Sequence, residues 1–145
     1  MSDIPANPVS ARPAVHVHEP DPGRQAFYIL QVAFVIVPLL AGIDKFTHLL
    51  VNWDKYLSPF GNNVLGGHGH EFMMAVGAIE IIAAIGVALL PRVFSWIVTI
   101  WLWLIIINLL IYPGYFDIAL RDFGLSLGAL ALTRLSATYK RPARD

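Results

Sequence analysis

The chain has 145 residues, of which 57% are hydrophobic and only 14% charged, and its formal net charge is zero. A soluble domain is typically about 25% charged, so the apolar surplus exceeds what one small core can hide and points to lipid as solvent. The neutral balance leaves no basic field to attract nucleic acid, and the absence of cysteine excludes disulfides, thiol nucleophiles, CxxC redox pairs and thiolate metal sites.

Residues 1–25 form a proline-rich arm, with Pro5, Pro8, Pro13, Pro20 and Pro22 among scattered charges. The arm has no apolar run of the kind a secretory signal needs. Proline withholds backbone donors and resists helix, so the arm is expected to be disordered. His16 and His18 make an H-x-H pair here, which is read as incidental.

A membrane-crossing helix needs about 20 mostly apolar residues to span about 30 Å of hydrocarbon. Four segments answer to this: 26–45, with helix continuing toward Val51, then 72–90, 93–112 and 117–135. The third is the least interrupted, by Thr99 and Asn108, and the fourth is the weakest, because Arg121 and Asp122 fall in its first turns. A basic tail, 138–145, follows. The expected fold is therefore all-α, an integral membrane four-helix bundle in a transmembrane domain of residues 26–137.

Lys and Arg set the orientation. One side holds seven of them, Arg12, Arg24, Arg92, Arg134, Lys140, Arg141 and Arg144, and the other three, Lys45, Lys55 and Arg121. The richer side is expected to be cytoplasmic, which places both termini there in a multi-pass protein of the inner (plasma) membrane. Pro91-Arg92 reads as a tight inner turn and Pro113-Gly114 as a tight outer turn. The outer loop from Asn52 to Glu71 is long. Trp53, Asp54, Lys55 and Tyr56 suit a short interfacial helix, and the breakers Ser58-Pro59, Gly61, Asn62-Asn63 and Gly66-Gly67 follow.

Charges inside a span cost about 2.5–3.5 kcal/mol each at its centre, so they turn inward and pair. Glu80 sits among Ile79, Ile81 and Ile82, roughly 12 Å below the outer boundary at 1.5 Å per residue. Asp44 and Lys45 close the first span, with His48 one turn beyond Asp44. Arg121 and Asp122 open the fourth span, and Asn108 lies a turn below the outer end of the third. These residues come from four helices but share the outer half of the membrane. Glu80 is expected to meet Lys45 or Arg121, with Asn108 hydrogen-bonded into the same cluster. Two accounts are open: an ion-pair network that sets helix register, or a ligand-binding or proton-linked site.

Gly67-His68-Gly69-His70-Glu71 places two imidazoles and a carboxylate before the second span. His68, His70 and Glu71, completed by His48 or Asp44, could bind zinc or another divalent metal; a solvated glycine-rich loop is the plainer account. Gly124 and Gly128 make a GxxxG pair and Ala84 and Ala88 a small-xxx-small pair, both of which allow close helix approach. Trp101 and Trp103 lie mid-span, where they can stack on a quinone ring or pack between helices.

Gly42 and Lys45 closing the first span, Glu80 followed by Gly86 in the second, and Asp122, Gly124 and Gly128 opening the fourth resemble the DoxX-like membrane proteins. That group includes the DoxD-type subunit of thiosulfate:quinone oxidoreductase. The likeness covers roughly residues 25–137. It implies a four-helix bundle associated with membrane redox systems through quinone and partner subunits, with Lys45, Glu80 and Asp122 as the polar positions. The histidine-bearing loop and the proline-rich arm depart from the pattern. The resulting expectation is a subunit of a redox or respiratory assembly with a quinone-accessible pocket near the outer face, packed against other membrane subunits or a second copy. Without cysteine, a haem-attachment motif or a nucleotide-binding loop, it is not expected to be a self-sufficient enzyme. The alternatives are a structural or assembly subunit, and a small transporter or metal-handling protein.

Overall fold

The computed structural model describes residues 21–111 and 114–139. The first twenty residues of the arm, including His16 and His18, the Tyr112-Pro113 half of the expected outer turn, and the tail from Lys140 lie outside the described residues.

Helix α1 runs from Pro22 to Thr47. Asp21 caps it, its Oδ1 accepting from the Gly23 backbone N–H at 2.9 Å. Pro22 takes the first helical position, where a missing N–H costs nothing. The expected arm therefore ends at residue 21, and residues 22–25 are the first turn of the helix. α1 stops where His48 enters the left-handed region at φ 52° and returns its N–H to the Asp44 carbonyl at 2.7 Å. The segment between α1 and the next long helix then folds into a short 3-10 helix, Trp53–Tyr56, and a six-residue helix α2, Pro59–Val64. The breakers at Ser58-Pro59 are thus a helix start. The Ser58 hydroxyl caps α2 by accepting from Gly61 N–H at 3.0 Å, and Pro59 occupies the first position.

Three long helices complete the chain: α3, Gly69–Leu89, α4, Pro91–Ile111, and α5, Phe116–Thr138. Among the described residues the secondary structure is entirely helical. Helices α1, α3 and α4 are each long and apolar enough to cross a membrane, with a mean hydropathy of 2.3 in the most apolar stretch of each. α5 is as long, at 23 residues, but does not reach that standard; it carries Asp117, Arg121, Asp122 and Arg134. Many large apolar side chains point outward, among them Ile29, Leu40, Ile82, Ile100 and Leu120. So continuous an exposed apolar surface suits lipid and not water.

α1 packs chiefly on α3, and α4 on α5; lesser contacts between α3 and α4 and between α1 and α5 close the ring. Phe27, Phe34, Val87, Val98, Ala129 and Leu132 form one core, and Ile106, Leu109 and Ala119 a second toward the loop between α1 and α3. Polar contacts tie the pairs. Gln31 on α1 donates to the Val87 and Ala88 carbonyls at 3.2 Å each, satisfying the exposed end of α3. Between α4 and α5 the Ser95 and Thr133 hydroxyls meet at 2.7 Å. Just past the same end of α5, the Tyr139 hydroxyl donates to Asp21 at 3.1 Å, and this bond holds the Asp21 carboxyl below its ordinary value of 3.8. A depressed value means the contact supports the fold above the ordinary value and is lost as pH falls through the lowered one.

A backbone-to-backbone approach joins α1 to α3. A Cβ at Gly42 would stand 2.7 Å from the Gly77 carbonyl oxygen, and one at Gly77 would stand 2.9 Å from the Gly42 carbonyl oxygen. Both obstacles are backbone, so neither can swing away. The GxxxG pair is split by contrast. Gly128 faces the Phe34 ring at 3.3 Å, whereas nothing lies within 4 Å of a Cβ at Gly124. Gly42→Ala and Gly77→Ala are each expected to cost about 1–3 kcal/mol by overpacking, read as a lowered Tm in detergent. Gly124→Ala should be neutral or stabilising by up to about 1 kcal/mol.

Candidate functional site

The Gly42–Gly77 crossing lies one turn beneath a buried ion pair. Lys45 is three residues beyond Gly42 on α1, and Glu80 three beyond Gly77 on α3, so both side chains leave the same seam. Lys45 Nζ sits 2.6 Å from Glu80 Oε2, with the side chains only 3% and 13% exposed. The third wall is Trp53, whose ring centroid is 3.8 Å from the same ammonium. Lys45 is thus held by a carboxylate on one side and an aromatic face on the other, a pairing strengthened by exclusion of water.

Asp44, the preceding residue, points to the opposite task. Its Oδ1 accepts from Leu49 N–H at 2.9 Å and Leu50 N–H at 2.8 Å. Its Oδ2 accepts from Val51 N–H at 3.3 Å and the Trp53 indole at 2.7 Å. One buried carboxylate therefore anchors the chain leaving α1 and aims Trp53 at Lys45. Both oxygens are engaged within the chain, and Asp44 lies outside the grouping of His48, Asp54 and His70.

Asn108 does not reach this cluster. Its Oδ1 accepts from Ser58 N–H at 3.2 Å and its Nδ2 donates to the Tyr56 carbonyl at 2.9 Å. The residue is a clamp from α4 onto the loop between α1 and α3, supported by the Tyr56–Tyr115 edge contact at 5.1 Å. Arg121 also stands apart from Glu80. It is largely exposed and turns to its neighbour Asp122, 3.0 Å from Oδ1 through both Nε and Nη2. Asp122 itself is buried, and its charge is felt at Glu80. Two ion pairs, Lys45–Glu80 across α1 and α3 and Arg121–Asp122 within α5, thus set their carboxylates toward each other.

The histidine loop is regrouped. His68 lies 3.7 Å from Glu71, and both side chains are largely exposed. His70 turns away from them: its Nδ1 is 2.9 Å from Asp54 Oδ2, and its ring stacks on His48 at 5.9 Å and 17°. The candidate ligand set is therefore His48, Asp54 and His70, not His68, His70, Glu71 and His48 together. Sequence spacing concealed Asp54, because the 3-10 turn that presents it is built by Asn52, whose side chain accepts from Asp54 N–H at 3.0 Å. An open cleft of about 480 Å³ adjoins Asp54 and His70, bounded also by Leu57, Pro59 and Asn62. Mid-span on α4, Trp103 packs edge-on against Phe123, and the Trp101 indole nitrogen is buried without an acceptor. Sequence reading also passed over Gln31 and Gly77, whose roles depend on contacts made across helices.

Removing one partner of a buried ion pair strands the other, at about 3–5 kcal/mol. Lys45→Met and Glu80→Leu should each lower the unfolding free energy by about that much, while the double variant recovers most of the loss; a double-mutant cycle in detergent measures it. Compared with known proteins, the chain matches no family model, no curated protein and no solved structure.

Proposed function

We propose that the chain is a DoxX-like four-helix membrane bundle, with both termini cytoplasmic, that serves as a subunit of a redox or respiratory assembly in the inner (plasma) membrane. On this reading α5 is the fourth span, with Asp117, Arg121 and Asp122 toward its outer end and Arg134 toward its cytoplasmic end. The observation that carries the proposal is the buried Lys45–Glu80 pair, with Asp122 close by, at one end of the apolar helices. A soluble protein has little reason to hold such a group of charges beneath an apolar exterior; a membrane protein that receives a polar head group does. Glu80 keeps slightly more exposure than Lys45, so it is the member that a quinone head group would meet, with Lys45 stabilising negative charge beside it. The unpaired Trp101 indole donor is of the kind that a quinone carbonyl accepts. The site supplies charge and hydrogen bonds, and a partner subunit would supply the electrons.

A second reading is a structural or assembly subunit. What favours it is that Asp44 and Lys45 already have their partners inside the chain. Purification in mild detergent followed by quinone extraction separates the two. The first reading expects co-purifying quinone or partner subunits, with Glu80→Gln reducing quinone content by about tenfold at unchanged assembly yield; each 1.4 kcal/mol of lost binding is tenfold. If Glu80→Gln lowers only the yield of assembled complex, the structural reading stands instead.

A further inference from the structure

We infer that His48, Asp54 and His70 form a binding site for a zinc-like divalent cation on the loop side of α1 and α3. One ligand atom from each residue lies within 4.8 Å of the others. Ligands about 2.0–2.2 Å from a tetrahedral ion stand about 3.3 Å apart. Small side-chain rotations therefore bring the set to bonding distance, and His70 and Asp54 are already at 2.9 Å.

Asp54 offers the strongest sign of a missing cation. Its Oδ2 is engaged by His70, but its Oδ1 is buried and has no hydrogen-bond partner. A buried carboxylate oxygen without a donor is costly. The cation nearest in sequence does not answer it: the Lys55 ammonium sits over the Tyr56 ring at 5.0 Å. One oxygen of Asp54 thus meets an imidazole while the other has no donor.

The backbone reinforces this placement. His48 is the one non-glycine residue with positive φ among the described residues, at 52°. Glycine or asparagine is the usual choice at such a helix end. A histidine there accepts a disfavoured conformation and in return lays its ring parallel to that of His70. Three separate elements supply the ligands: the end of α1, the 3-10 turn and the first turn of α3. A cation bridging them would tie the loop to both helices.

Two imidazoles and one carboxylate suit zinc or another first-row divalent ion better than magnesium or calcium, which favour all-oxygen shells. Three protein ligands leave a fourth position open toward the adjoining cleft of about 480 Å³.

The test is calorimetric titration of the tag-free full chain in mild detergent with Zn²⁺, together with metal analysis of the purified protein. One saturable zinc per chain is expected, undisplaced by equimolar Mg²⁺ or Ca²⁺. His48→Ala, Asp54→Asn and His70→Ala should each weaken binding by about tenfold or more. His68→Ala, Glu71→Gln and the paired His16→Ala/His18→Ala change should leave it within about twofold, far below what loss of a ligand does. Helicity and monodisperse elution certify each variant. Should His70→Ala misfold, the exposed His48 and half-buried Asp54 decide the matter. No saturable zinc in the wild-type chain, loss confined to His68, Glu71 or the arm histidines, or full retention in a His48→Ala/His70→Ala double variant would each overturn the site.

Discussion

The ammonium of Lys45, taken out of water and placed 2.6 Å from Glu80, constrains nearly everything at this end of the molecule. A buried charge demands a partner at hydrogen-bonding distance, because a stranded ion costs several kcal/mol. That demand brings α1 and α3 together, and the seam is narrow enough only because Gly42 and Gly77 put backbone against backbone one turn below. The glycines permit the approach and the ion pair makes it worthwhile.

The same constraint organises the loop between α1 and α3. Lys45 is shielded by Trp53, and Trp53 is held by Asp44, which also collects the backbone donors of residues 49–51. Asn108 performs the corresponding task from α4, fixing Tyr56 and Ser58. A segment rich in glycine and asparagine is thereby stitched to two helices. Its side chains acquire defined positions, and for that reason His48, Asp54 and His70 can be considered together at all. The polar group around Glu80 and Asp122 and the histidine cluster are separate pieces of chemistry resting on one support.

Where residues were read from the chain alone, success followed the range of the interaction. Three of the four apolar runs are helices able to cross a membrane, because hydropathy belongs to a contiguous stretch. The need of Glu80 for a cation was legible from its apolar neighbours, but the choice between Lys45 and Arg121 was not. Arg121 is drawn to Asp122, one residue away, where a short reach costs less side-chain entropy. Asn108 meets the loop and not the expected cluster, because its partners there are some fifty residues distant in sequence. The helix 59–64 is hidden in the sequence for a different reason: serine and proline break a helix in its interior and start one at its first turn.

The sequence by itself determined that this chain is helical, apolar outside and burdened with a few charges that must be matched internally. Those are properties of composition and spacing, and they hold however the helices are arranged. Only the tertiary structure decided that Asp44 serves the loop while Lys45 serves α3, that Gly77 and not Gly124 marks the tight crossing, and that His70 belongs with Asp54 instead of His68 and Glu71. Adjacent residues on a helix leave it about 100° apart, so what each one meets depends on which helix lies in that direction, and no linear pattern contains that information.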